Sequence, residues 1–141
     1  MSEYTIEFAK SCDIDSCKAF DFDYISASDL RRDTETKQII LAKMQGIVIG
    51  YLRLNYLWYT TPFIDLIIVE KEHRKKGIGK ALLELIITEL KNDGKKMILT
   101  STQSTNQEAR RWNESAGFLE IGSLKTLHEG GSEELFYRKD F

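Results

Sequence analysis

One stretch constrains this chain more than any other. Phe63 to Val69 is a nearly unbroken apolar run; after a charged turn the chain reads Arg74-Lys75-Lys76-Gly77-Ile78-Gly79-Lys80-Ala81 and continues to Asn92. A short continuous apolar run predicts a strand buried on both faces. From about Ile78 to Asn92, Ile78, Leu82, Leu85, Ile86 and Leu90 recur at helical spacing, with Lys80, Glu84, Thr88 and Lys91 opposite them. Asn92-Asp93-Gly94 supplies the stop. A buried strand that feeds a helix through a glycine-bearing loop demands a sheet with helices packed on it.

The remaining segments fill in that plan. Tyr4 to Ala9 alternates as a first strand, and about Asp13 to Leu30 reads as one or two short helices with Asp13 and Ser26 or Ser28 as N-caps. Ile39 to Lys43 and Ile47 to Leu54 form a hairpin around Gln45-Gly46. Lys96 to Ser101 is a strand, Asn106 to Ser115 a helix, and Phe118 to Leu124 and Glu134 to Arg138 are two closing strands around the Glu129-Gly130-Gly131-Ser132 turn. The order predicts one mixed α/β (α+β) domain over residues 1–141, with a largely antiparallel first half.

Composition removes whole function classes. At 141 residues and 42% hydrophobic content the chain suits one core, with no Ser- or Pro-rich linker and a single proline, Pro62. A net charge of −2 disfavours a globally basic nucleic-acid binder. No apolar run reaches the ~18 residues of a membrane span. The start, Met1-Ser2-Glu3-Tyr4, has no leader character, and this points to the cytoplasm. Cys12 and Cys17 have neither C-x-x-C nor zinc spacing and read as reduced thiols; with His73 and His128 they form no metal pattern.

Chemistry concentrates in the loop. A helix start presents unpaired N–H groups and the positive end of its dipole. Gly77 and Gly79 allow close backbone approach, and Lys71, Arg74, Lys75, Lys76 and Lys80 add positive charge. The site suits phosphate; its plainer reading is a solvated basic turn. A Walker loop fails because Arg74 and Ala81 stand where a glycine and a Ser or Thr are needed. The dinucleotide fingerprint fails because Leu82 stands in place of its third glycine.

Arg74-x-x-Gly77-x-Gly79 on a strand–loop–helix resembles the pyrophosphate motif of the GNAT acetyltransferase superfamily. Asn106-Gln107-Glu108-Ala109, followed by Trp112 and Ala116-Gly117-Phe118, resembles that family's second signature. The resemblance spans roughly Ile39 to Arg138. It implies a seven-stranded, mostly antiparallel sheet with about four helices, the fourth and fifth strands splayed around acetyl-CoA as co-substrate.

The resemblance also assigns roles. Ile67, Ile68 and Val69 would offer main-chain groups to the pantetheine arm, and Arg74, Lys75, Lys76, Gly77, Ile78, Gly79 and Lys80 would hold the pyrophosphate. Asn106 would bond the pantetheine amide, cap its helix, or do both. Asp65, an acid inside an apolar strand, would take the acceptor's proton or bind its ammonium, unless it is only a salt-bridged or edge aspartate. Glu70 is a second candidate, and more in keeping with a charged surface. Asn113 stands where many members carry an acidic tyrosine; an amide can hydrogen-bond the leaving sulfur but supplies no proton. Tyr56 or Tyr59 could replace that acid, or simply pack.

The acceptor would meet Phe20, Asp21, Phe22, Asp23 and Tyr24, and then Tyr56 to Tyr59. Aromatic walls with carboxylates, in a first thirty-five residues holding nine acids against four bases, suit a cationic amine as well as they suit an ordinary acidic surface. Tyr24, Tyr56 and Tyr59 are the substrate-binding candidates. The expected reaction is acetyl transfer to a primary amine by direct attack in a ternary complex, with small-molecule amines ahead of peptide or protein. A non-catalytic acyl-CoA-binding sensor, motivated by Asn113, is the alternative, and longer acyl groups and a homodimer stay open. No metal, nucleic-acid or membrane partner is expected.

Overall fold

A computed structural model describes residues 3–21 and 24–141. The strands are β1 (Thr5–Phe8), β2 (Ile39–Met44), β3 (Ile47–Leu57), β4 (Thr61–Val69), β5 (Met97–Gln103), β6 (Leu119–Leu124) and β7 (Glu134–Asp140). The helices are α1 (Ile14–Phe20), α2 (Ala27–Glu35), α3 (Ile78–Asn92) and α4 (Gln107–Ser115). They build one seven-stranded sheet in the order β1-β2-β3-β4-β5-β7-β6, antiparallel except for β4 beside β5. The expected α+β architecture holds. Among the described residues no helix is long and apolar enough to cross a membrane.

Each sheet face has its own core, and strand parity explains why. Leu52, Leu54 and Ile64 pack with Leu82, Ile86 and Leu90 under α3. Leu41 and Tyr51 point the other way, to Ile14, Cys17 and Leu30 of α1 and α2. The Cys17 thiol is fully buried, and burial pushes its pKa up to about 12, so it packs as a small hydrophobe rather than reacting.

Two local expectations are corrected, and of the two caps expected for α2 one is found. Helix α2 runs to Glu35 rather than ending at Leu30, because Asp33 and Thr34 are buried on its inner face. Its cap is Ser26, whose Oγ accepts from the Asp29 N–H at 3.1 Å. Asp13 makes no side-chain cap to α1; its carboxylate accepts from the Lys10 N–H and from Lys43 Nζ, both at 2.8 Å.

The two hairpins of the first half contrast usefully. Gln45 and Gly46 both take positive φ, the two-residue geometry that suits Gly and Asn. In the β3–β4 hairpin the same geometry falls on Trp58 (φ 52°) and Tyr59 (φ 65°), and the Thr60 N–H donates to Leu57 O at 3.1 Å. Both aromatic side chains are exposed. Replacing the pair with Asn-Gly is expected to raise stability by about 1–3 kcal/mol through relief of left-handed strain. A higher urea midpoint at unchanged slope checks this.

The feature that matters for function is where β4 and β5 part. Only Phe63↔Leu99 and Ile64↔Thr100 are paired between them. Across β3, Arg53 pairs with Leu66 and Leu54 with Ile64, so Asp65 is an extra, bulged residue. A bulge bends and twists its strand. Here it sits at the residue where β4 leaves β5.

Candidate active site

At the end of β4 the chain passes through the basic turn into α3. Gly77 caps the helix with φ 82° and makes no side-chain cap, and the first helical bond runs from the Ala81 N–H to Gly77 O at 3.0 Å. The N–H groups of Ile78, Gly79 and Lys80 therefore lack intrahelical acceptors. They face a cavity of about 290 Å³ also lined by Lys75 and His73. Ile78 contributes only backbone there, since its side chain is buried in the core. Lys76 does not line the cavity.

The two glycines serve different ends. At Gly77 the positive φ requires glycine, and the space around it is open. A Cβ on Gly79 would lie 3.1 Å from Cζ2 of Trp112, so this glycine admits the α4 indole against the first turn of α3. Arg74 does not simply face solvent: its Nε donates to Val69 O at 2.9 Å and its Nη1 lies 3.4 Å from Glu108 Oε1 on α4. It ties the end of β4 to the opposite wall.

Between β4, β5 and α4 the split opens a cleft of about 400 Å³, lined by Ile67, Ile68, Val69, Asn106 and Asn113 among others. The Glu70 N–H donates to Ile49 O on β3 at 2.8 Å. Main-chain groups alternate in direction along a strand, so Ile68 also bonds toward β3, while the N–H groups of Ile67 and Val69 face the gap. Ile67 and Val69 thus turn main-chain groups to the gap, and Ile68 turns its own to β3. Asn106 caps α4, its Oδ1 accepting from the Ala109 N–H at 3.1 Å, which leaves its Nδ2 hydrogens outside that bond. Asn113 is buried on the cleft wall, and its side chain makes no hydrogen bond among the described residues.

The apex holds an unforeseen network. Arg53 grips Asp21 through Nε (2.9 Å) and Nη2 (3.1 Å), and Asp65 through Nη1 (2.6 Å). The Tyr51 hydroxyl donates to the same Asp21. Two carboxylates on one guanidinium leave a surplus negative charge. Burial pushes the Asp65 carboxyl above its ordinary range, and the Arg53 guanidinium opposes that shift. Asp65 is thus both salt-bridged and on the cleft wall.

The tyrosine candidates separate. Tyr24 follows this network directly, its N–H donating to Asp21 O at 3.0 Å. Tyr56 and Tyr59 do not line the cleft. Tyr56 packs onto the α3-side core beneath Lys95 Nζ, and Tyr59 stands exposed at the hairpin tip. Phe20 stacks on Tyr51, with ring centroids 5.8 Å apart, instead of walling a pocket. Phe22 and Asp23 lie outside the described residues.

Sequence reasoning missed Arg53, although an arginine amid apolar strand residues was a usable signal. It also passed over His73, whose buried Nδ1 has no partner among the described residues and which lines the glycine-loop cavity.

Comparison with known proteins agrees with this geometry. The family model described as "Acetyltransferase (GNAT) family" matches residues 4–118. Streptothricin acetyltransferase A of Bacillus subtilis is 30% identical over 67% of this chain and 54% of its own length. The L-amino acid N-acyltransferase MnaT of Escherichia coli is 25% identical over 57% of this chain and 49% of its own. The chain therefore spans about half the length of these curated relatives. Among solved structures, Ard1 from Thermoplasma volcanium superposes with a TM-score of 0.84 at 20% identity, covering 99% of this chain and 98% of that one. The yncA protein of Salmonella typhimurium, solved with its cofactor acetyl-CoA, gives 0.83 at 20% identity, covering 99% and 94%. With its glycine loop on α3, its parted β4 and β5 and a family match over most of its length, this chain belongs to the GNAT acetyltransferase family.

Proposed function

We propose that this protein moves the acetyl group of acetyl-CoA to a primary amine by direct attack in a ternary complex. One observation carries the reading: a single split in the sheet has an anion cradle at one end and a surplus of carboxylate charge at its apex. A CoA thioester fits the residues present. Three unpaired helix N–H groups, Lys75, Lys80 and the unpartnered His73 Nδ1 suit a pyrophosphate. The Val69 N–H suits an extended amide arm, as does the Asn106 amide. Bound there, acetyl-CoA supplies an activated acyl carbon.

The chain's residues then have three tasks. The Ile67 N–H, facing the gap on the apex side, donates to the oxygen on which charge develops. Asp65 and its surplus charge attract the acceptor ammonium. Asn113 hydrogen-bonds the departing sulfur, which needs no strong acid because a thiol with pKa of about 8.5 is already a tolerable leaving group. Tyr24, next to the Asp21–Arg53 network, borders the acceptor's approach. The two curated relatives are named for small acceptors, an L-amino acid and streptothricin, and this favours a small-molecule amine here.

Calorimetric titration with acetyl-CoA, with CoA and ATP as controls, tests the cradle; thiol release with an amine panel tests transfer. Asp65→Asn is expected to lower transfer by roughly tenfold or more with acetyl-CoA affinity nearly unchanged, through loss of a charge-assisted contact. An unchanged rate would remove Asp65 from the reaction. The Asn113 amide favours a second reading, a non-catalytic acyl-CoA sensor. Acetyl-CoA binding without thiol release across the panel would select it.

A further inference from the structure

Asp65 is one of two residues that flank the apex. On β5 the first residue past the last parallel pair is Ser101, which also lines the cleft. Its Oγ donates to Glu134 Oε2 at 2.7 Å, and the other carboxylate oxygen, Oε1, lies 2.7 Å from Nε2 of His128 in the β6–β7 connection. The Glu134 side chain is only 15% exposed, and both of its oxygens are engaged.

Strand parity shows which way this group faces. Leu135 and Tyr137 point into the core beneath α3, so Glu134 and Phe136 point to the opposite side, where Phe136 packs on Phe63. Ser101 alternates with Ile98 and Thr100 in the same sense. The glycine loop belongs to α3, on one side of the sheet; Ser101, Glu134 and His128 sit on the other, with Arg53 and Asp65. In a direct-attack reaction, donor and acceptor enter the split from opposite sides.

We infer that Glu134 is the proton acceptor for the incoming amine, reached through the Ser101 hydroxyl, with His128 holding the carboxylate in place. This rests on the acetyltransferase reading above. Ser101 spends its one hydrogen on Glu134, so its lone pairs are open to an N–H in the cleft. Asp65 is committed elsewhere: its Oδ2 lies 2.6 Å from Arg53 Nη1, and its charge serves to attract the ammonium. An ammonium bonded to Ser101 Oγ passes a proton to that oxygen as the Ser101 hydrogen passes to Glu134 Oε2. The result is R–NH2 and a neutral Glu134. The nitrogen lone pair forms the N–C bond, the C–S bond breaks with its electron pair going to sulfur, and the second nitrogen proton neutralises the thiolate. Partial exposure lets Glu134 return its proton to water.

Glu134→Gln keeps the shape and loses the basicity. Its kcat is expected to fall by about a hundredfold or more, the size of a lost general base, with calorimetric acetyl-CoA affinity unchanged. Ser101→Ala is expected to fall comparably, and Ser101→Thr, which keeps the hydroxyl, to recover most of the rate. The decisive arm compares, at about pH 8.5, the alkyl amine selected by the panel, still almost wholly an ammonium there, with its β,β-difluoro analogue, which is largely neutral at that pH and needs no base. Glu134→Gln should be nearly as fast as wild type on the fluorinated amine. Equal slowing on both amines would make Glu134 merely structural, and an unchanged kcat would overturn the assignment alone. Wild-type protein that binds no acetyl-CoA, or releases no thiol with any amine, would overturn the acetyltransferase reading and this assignment with it.

Discussion

Arg53→Met is expected to destabilise the fold by about 3–5 kcal/mol, the range for removing one member of a buried ion pair. Asp21 has a side chain only 2% exposed and relies on two bonds from Arg53 and one from Tyr51. Methionine replaces the apolar stem of Arg53 but leaves that carboxylate with a single donor. A lower urea midpoint at unchanged slope is the readout. Combining the change with Asp21→Leu and Tyr51→Phe is expected to restore most of the loss, since replacing a whole buried polar group with apolar residues is often near neutral. A loss below about 1 kcal/mol in the single variant would put the network in the class of surface pairs. The same guanidinium positions Asp65, so acceptor KM should rise in Arg53→Met while acetyl-CoA affinity holds.

The second large effect lies at Gly79. Gly79→Val is expected to weaken acetyl-CoA binding by about ten- to a hundredfold, or roughly 1.4–2.8 kcal/mol. Its Cβ would stand 3.1 Å from Trp112 Cζ2, and two further methyl groups cannot fit between α3 and the indole without displacing one of them. Overpacking of this kind costs about 1–3 kcal/mol. Either displacement moves the N–H groups that form the cradle. Trp112→Leu in the same chain should recover part of the affinity, and Gly122→Ala, where a Cβ meets nothing within 4 Å, should change nothing. Wild-type affinity in Gly79→Val would mean that the contact between α3 and α4 does not shape the cradle.

What could be read in advance follows from how far apart the participants are. The glycine loop, the α3 pattern and the Asn106 cap each occupy one short continuous stretch. Their geometry is local, and composition and spacing expose it. Arg53 and Asp65 are twelve residues apart, and Arg53 and Asp21 thirty-two, so their pairing depends on strand register. The bulge at Asp65 shifts that register by one residue, and no alternation pattern announces it. For Tyr56 the reason is different: the strand read from the sequence ends at Leu54, whereas β3 runs to Leu57 and carries Tyr56 on the same face as Leu52 and Leu54.

The sequence by itself determined that an apolar strand would run through a glycine-bearing loop into a helix, and that a mixed sheet would surround it. Local φ preferences, helical period and apolar runs are enough for that. Only the tertiary structure decided which side of the split each carboxylate faces, that Gly79 makes room for Trp112, and that Ser101, Glu134 and His128 meet. Those contacts come from segments separated along the chain and are set by sheet order, register and the parting of β4 from β5, which pair energies between distant strands dictate.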